Sequence, residues 1–299
     1  METKKVISSY IIPSLEKTIR LSDLKPDGFI LVETRKSLKK AFQKKRILIN
    51  GLQANTADHI SGGEELSLLD DGQDQTVFHP LPNLEVIFED DYLAIINKPA
   101  GIPVHGHKAH TIQNCLYNSL KQSSIPDALK VPLAVHRLDY PTSGALLIAK
   151  TKTACLKLHQ SFQNRAIEKK YLAVLVGHIQ SKQLSCKQRI DNKEASTSMK
   201  ILDQIESAKY KQLSLFEVNP STGRRHQIRK HCLALGHPIL GDQLYYLTQY
   251  KHQGKGLYLH AFQLSFTHPI TGDTETHSCP TPKKIRKLFP KSKLLNEIN

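Results

Sequence analysis

Apolar residues fall along this chain in two rhythms. From about residue 12 to residue 71 they come in short groups among charged ones. Leu38 and Phe42 stand four apart inside Arg35–Arg46, and Ile47-Leu48-Ile49 follows as an apolar run. Asn50-Gly51 is a turn signal, and Leu66-Ser67-Leu68 comes after the break at Gly62-Gly63. Residues four apart share a helix face, and short branched runs bounded by turn residues are strands, so the spacing predicts one helix on a few strands. This makes a small α/β domain over residues 12–71. The stretch Asp70 to Pro82 (DDGQDQTVFHPLP) is polar and carries two prolines, so residues 72–82 read as a linker.

Beyond it the apolar runs are longer and closer together. Leu84-Glu-Val-Ile-Phe88 alternates, while Leu93–Ile96, Gly144–Ala149 and Tyr171–Val176 are almost continuous, and Leu213–Phe216 is strand-like. Helical spacing appears at Leu156, His159 and Phe162. Strands without regular helix alternation predict an α+β domain on a mixed, largely antiparallel sheet over residues 83–299. The basic tail KKIRKLFPKSKLLNEIN could be helical or frayed.

Length and charge sharpen this picture. The 299 residues, 39% of them hydrophobic, suffice for a buried core and for more than one domain. Forty-two Lys and Arg against 27 Asp and Glu give a formal charge of +15, which concentrates polyanions around the molecule. The five cysteines (115, 155, 186, 232 and 279) are dispersed and form no Cys-x-x-Cys pair, which suggests reduced thiols rather than a disulfide framework. Met1–Ser9 lacks an apolar signal core, and no run approaches the roughly 20 apolar residues of a membrane span. The expectation is a cytoplasmic protein, monomeric and away from membranes.

Three clusters could carry chemistry. The run RKSLKKAFQKKR holds seven basic residues and no acidic one. Lys36, Lys39, Lys40, Lys44, Lys45 and Arg46 would form a positive helix face, either merely solvated or contacting phosphates. His136-Arg-Leu-Asp-Tyr-Pro-Thr-Ser-Gly144 is a polar stretch between apolar runs, where charges are costly unless paired; alone, Arg137 and Asp139 read as an ion pair. Pro220–His231 packs Arg224, Arg225, Arg229 and Lys230 into seven positions, a phosphate-binding loop at least. Of the fifteen histidines, His105, His107 and His110 have ligand-like spacing but no nearby cysteine or carboxylate. There is no HExxH, Walker or GxGxxG pattern. No metal and no cofactor is therefore expected, and the reaction itself is not legible from these residues.

The clusters do resemble a known family. HRLDYPTSG (136–144) is similar to the hallmark of the RluA-type pseudouridine synthases, and three further motifs follow the family's order. They are Asn97-Lys-Pro-Ala-Gly101, Lys169-Lys-Tyr171, and Thr222-Gly-Arg-Arg-His-Gln-Ile-Arg229 continuing to Gly241-Asp242 and Tyr245. Leu259-His-Ala261 resembles a later motif, and together they span about residues 84 to 275. The basic helix, Ile-Leu-Ile-Asn-Gly and Gly-Gly-Glu resemble an RNA-binding domain named after a small-subunit ribosomal protein, although the segment before Lys36 matches poorly.

The resemblance implies a pseudouridine synthase fold and an enzyme isomerising uridine in ribosomal or transfer RNA, a redox-neutral reaction that hydrolyses nothing. It implies Asp139 as the catalytic carboxylate, Arg229 as its ion-pair partner, and Tyr171 as a stacking group that assists proton removal. Leu259 would be an apolar wall, and Arg137 would fill the space of the extruded base. His136, Thr142, Arg224 and Arg225 would bind substrate. Arg225 stands where relatives place a small hydroxyl residue, and the stretch from Ile179 to Met199 is short. The alternative from another class is a non-catalytic RNA-binding or ribosome-assembly factor on the same fold; a metal-dependent RNA hydrolase built around His105 is a third.

Overall fold

Alternation and turn chemistry produce two units, Met1–Pro80 and Leu81–Asn299. The computed structural model describes residues 6–12, 14–15, 17–24, 32, 35–70, 83–106, 111–250, 254 and 256–292. The linker read at 72–82 and the tail after residue 292 lie outside the described residues.

In the first unit, strands β1 (Val6–Ile11), β2 (Ile19–Arg20), β3 (Ile47–Ile49), β4 (Leu52–Gln53), β5 (His59–Ile60) and β6 (Glu65–Leu69) accompany, among the described residues, the α-helix α1 (Arg35–Gln43) and a short 3-10 turn at Leu21–Asp23. Four strands form an antiparallel sheet in the order β1-β6-β3-β4, and β2 pairs with β5. Asn50 and Gly51 both take positive φ, 48° and 80°, the pair of left-handed residues that a two-residue hairpin between β3 and β4 needs. Leu38 and Phe42 are buried in one cluster with Ile47, Leu66 and Leu68, which is what holds α1 to the sheet. Two expectations change. The unit starts before residue 12, because β1 pairs along β6. The helix stops at Gln43: Lys45 has φ 52°, so Lys44, Lys45 and Arg46 are not helical. Arg46 leaves the exposed face altogether, being 8% exposed with its Nε donating to the Leu69 carbonyl at 2.7 Å.

The second unit contains β7 (Glu85–Glu89), β8 (Leu93–Lys98), α2 (Ile112–Ser119), β9 (Ala128–Ala134), β10 (Ser143–Thr151), α3 (Lys152–Gln163) and β11 (Glu168–Val176). Next come β12 (Gln183–Cys186), β13 (Thr197–Ser207), β14 (Lys211–Pro220), α4 (Gln227–Ala234), β15 (Leu259–Thr267), β16 (Thr274–Ser278) and α5 (Lys283–Leu288). Ten strands make one sheet: eight run in the order β12-β13-β14-β11-β15-β10-β8-β7, with β16 on β15 and β9 on β10. Among the described residues every strand pairing of this sheet is antiparallel except β10 with β15, so the mixed, largely antiparallel expectation holds. That parallel junction has one strict requirement. A Cβ on Gly144, whose φ is 114°, would meet the Ala261 carbonyl oxygen at 2.1 Å. The helix read from Leu156, His159 and Phe162 is α3, but Leu156 is 73% exposed; Ala154 and Leu158 form its buried face instead. Apolar spacing located the helix, and Phe162 of that spacing packs against the core.

Candidate active site

The four central strands deliver the polar clusters to one place. Asp139 lies in the loop between β9 and β10, Tyr171 on β11 and Leu259 at the start of β15, while Arg229 is on α4, one loop after β14. These residues line a single cleft of about 900 Å³, as do His136, Arg137, Thr142, Arg224 and Arg225. A cavity of that size accommodates an extruded nucleotide.

The loop bearing Asp139 is pinned from several sides. The Thr142 amide donates to the Asp139 carbonyl at 3.0 Å, closing a turn, and the Gly101 amide donates to the Tyr140 carbonyl at 2.8 Å. Beneath it sits Lys98, fully buried, whose Nζ donates to the carbonyls of Thr142 and Pro99, each at 2.8 Å. Burial pulls the Lys98 pKa down to about 8, against the opposing pull of the Asp139 charge. The sequence motif around Asn97 carried this lysine, but only burial shows its task.

Arg229 is 3% exposed, and a buried guanidinium needs fixed partners. Asp242 supplies them: Nε and Nη2 of Arg229 donate to its two oxygens at 2.7 Å each, a bidentate fork. The remaining nitrogen, Nη1, faces Asp139 Oδ2 at 3.5 Å. One cation thus stands between two carboxylates, the first fully buried and the second 17% exposed. Burial opposes the charge of Arg229, but the hydrogen bonds and charge of Asp242, then of Asp139, outweigh it and raise its pKa. The Arg137–Asp139 pair considered from sequence is replaced by this one; Arg137 is exposed at the cleft.

His226 completes the group. It opens α4 in the left-handed conformation (φ 57°), its Nε2 is 3.8 Å from Asp139 Oδ1, and its Nδ1 hydrogen-bonds the Tyr245 hydroxyl at 2.9 Å. Burial lowers its pKa, against the opposing pull of the Asp139 charge. The Tyr245 ring also takes the Arg229 guanidinium at 5.0 Å from its centroid. Asp242, His226 and Tyr245 had no assigned task in the sequence. A buried arginine with no acid in its own helix was the available signal for Asp242.

Tyr171 stands opposite Ala261 and Val218 in the sheet, next to a register shift between Lys170 and Tyr171 that re-aims it. Burial, and then the Asp139 charge, raise its pKa, so it is held as a phenol. Leu259 is 3% exposed beside it in the same apolar cluster. His136 is engaged more than its substrate-binding role implied. Its Nε2 accepts the Leu147 amide at 3.0 Å, its ring lies 4.8 Å from Phe162, and burial pushes its pKa down to about 3. Thr142 is 2% exposed. Arg224 donates Nε to the Glu194 carbonyl at 3.0 Å, whereas Arg225 is exposed. His107 and His110 lie outside the described residues, and no group of three metal-ligating side chains occurs among the described ones.

The family model described as RNA pseudouridylate synthase matches residues 92–234. The chain is 35% identical over 211 residues to the dual-specificity RNA pseudouridine synthase RluA of Haemophilus influenzae, covering 65% of this chain and 92% of that one. It is 31% identical over 276 residues to the ribosomal large subunit pseudouridine synthase D of Neisseria meningitidis serogroup A, covering 81% and 71%. The solved structure of human RNA pseudouridylate synthase domain containing 1 superposes with a TM-score of 0.56 at 27% identity, covering 68% of this chain and 85% of that one. Among the described residues no helix is long and apolar enough to cross a membrane. This chain belongs to the RluA-type family of RNA pseudouridine synthases, enzymes that isomerise uridine in RNA.

Proposed function

We propose that the RNA this enzyme modifies is ribosomal RNA, that the reaction runs on Asp139, and that the protein works as a cytoplasmic monomer. Transfer RNA is the second substrate to test, given the dual-specificity relative. Support for a ribosomal target comes from the name of the large-subunit relative, whose alignment covers 81% of this chain and so reaches beyond the second unit.

Isomerisation breaks the bond from ribose carbon 1′ to uracil nitrogen 1, turns the base, and joins carbon 1′ to carbon 5. The proton on carbon 5 then leaves, and nitrogen 1, which carries none in uridine, takes one up. Atoms balance without an external reagent. Asp139 acts as nucleophile or charge partner at the sugar or base, with Arg229 as its ion-pair partner in the cleft. Tyr171, kept as a phenol, stacks on the uracil and passes a proton only as part of a relay. Leu259 walls the base, Arg137 enters the vacated stack, and Thr142, Arg224, Arg225 and His136 line the bound nucleotide. Lys36, Lys39, Lys40, Lys44 and Lys45 contact RNA phosphates from the first unit, while Arg46 has a structural task there.

The observation that carries this reading is the Asp139–Arg229 ion pair inside a cleft of base size. Asp139→Ala should lower pseudouridine formation roughly 10⁴-fold or more while retaining RNA binding. Chemical mapping of total RNA from cells carrying either form tests both the residue and the target. Wild-type levels of modification in the variant would end the proposal.

A further inference from the structure

Beside the catalytic cleft lies a smaller one of about 250 Å³, which shares Arg165, Ser221 and Thr222 with it. Its other walls bring Lys187 and Arg189 from the loop between β12 and β13, with Glu194 the one acidic side chain. Three cations with one acid make a depression suited to a polyanion.

Two features show that this ledge is built. The loop is fastened to α4, the helix that carries Arg229. His231 bonds the Gln188 carbonyl at 3.0 Å and the Thr197 hydroxyl at 2.8 Å. Gln227 donates to the Ser196 carbonyl at 2.9 Å, and Arg224 to the Glu194 carbonyl at 3.0 Å. Across the loop's tip, where Asp191 and Asn192 both have positive φ, Arg189 clasps the Asn192 carbonyl with Nε at 3.2 Å and Nη2 at 2.5 Å. The loop that carries Lys187 and Arg189 therefore stands at a fixed position relative to the catalytic helix.

The second feature is where Arg165 sits. Helix α3 ends with the Arg165 amide on the Phe162 carbonyl (3.2 Å) and the Ala166 amide on the Ser161 carbonyl (2.9 Å). This is the helix end whose left-handed residue is usually glycine. Here that residue is Arg165, with φ 58°. A long cationic side chain occupies a position where the backbone favours none.

We propose that Arg165, Lys187 and Arg189 form a second anionic subsite, which holds backbone phosphates of the nucleotides flanking the uridine in the catalytic cleft. The proposal rests on the RNA-directed function above and says where the strand runs as it leaves the active site: over the β12–β13 loop. The ligand is the phosphodiester chain rather than any base, because the cations come from separate elements and present charge without a paired donor–acceptor pattern.

The experiment is a salt titration of binding by the full chain to a labelled 12-nucleotide oligouridylate. For single strands the slope of log affinity on log salt changes by about 0.7 per phosphate contact, so the triple variant Arg165→Gly, Lys187→Gln, Arg189→Gln should flatten it by about 2. Lys209→Gln, at the far turn of the β13–β14 hairpin, is the control for general loss of charge. A triple-variant slope equal to that of the control overturns the subsite. Arg165→Gly alone guards against a folding artefact: its thermal midpoint should stay level or rise as the left-handed strain is relieved, while affinity falls severalfold. Unchanged affinity in that stable variant also overturns the proposal. The readout is independent of catalysis, so absence of pseudouridine formation by the wild-type enzyme would fault the function and leave the subsite to its own test.

Discussion

Arg229 and the lysines of α1 carry the same charge under opposite conditions. The guanidinium of Arg229 is 3% exposed, forked onto Asp242 and facing Asp139, so each donor has a direction. Lys36, Lys39 and Lys40 point outward from a helix whose other face is held by Leu38 and Phe42. In the second unit charge is spent on geometry: water is excluded, the effective dielectric is low, and one misplaced partner is costly. In the first unit charge acts in sum, screened by salt and indifferent to any one side chain. Chemistry needs the first kind and capture of a polyanion the second.

The largest break in that contrast is Asp242→Ala. Removing one partner of a buried pair leaves the other charge stranded, at a cost of about 3–5 kcal/mol. Arg229 would also lose the fork that aims Nη1 at Asp139, so pseudouridine formation should fall with stability. Asp242→Asn keeps the size and one acceptor; it should recover much of the stability measured by urea unfolding but not the activity. Full activity in Asp242→Asn would show that the fork does not position Arg229 for its work.

How far these roles were readable differs between the two charge types. The exposed face of α1 was legible, because four-residue apolar spacing inside a basic run needs only local geometry. Its length was not: a positive φ at Lys45 ended the helix one turn early, and Arg46 turned inward to the Leu69 carbonyl. In the second unit the strands were legible from continuous apolar runs, and the family's motifs marked Asp139, Tyr171 and Arg229. Helix α4 was hidden by its polar sequence, since its buried face includes Gln227, Arg229 and His231. Pairing over long sequence distances, such as Arg229 with Asp242 or Lys98 with the Thr142 carbonyl, has no local signature. Buried polar residues are what apolar periodicity cannot see.

Buried neutral groups extend the contrast to pH. Burial lowers the pKa of His136 to about 3 and of His260 to about 4, both below the ordinary histidine value. Between those values and about 6.5 the unfolded chain binds protons that the folded one refuses, so stability rises with pH through this window and is lost as pH falls. Each histidine should contribute on the order of 1 kcal/mol per pH unit there. Urea unfolding at pH 7.5, 5.5 and 4.5 should show the wild type losing stability faster than His260→Gln. Parallel curves would mean that His260 is protonated in the folded protein.

The smallest expected effect on folding belongs to the exposed charges, and there a null result in stability is itself informative. Replacing Lys36, Lys39 and Lys40 together by Gln should alter unfolding free energy by less than about 0.5 kcal/mol per site, since glutamine is as good a helix former and none of the three is buried. Binding should respond differently. If the three lysines neutralise three phosphates, the slope of log affinity against log salt becomes shallower by about 2 to 3 on a structured RNA. Catalysis on an RNA bound at saturation should be altered far less than by Asp242→Ala, because none of these lysines lines the catalytic cleft. A variant as stable as wild type with an unaltered salt slope would show that α1 presents a solvated face only, and that the RNA affinity of the protein resides in the second unit.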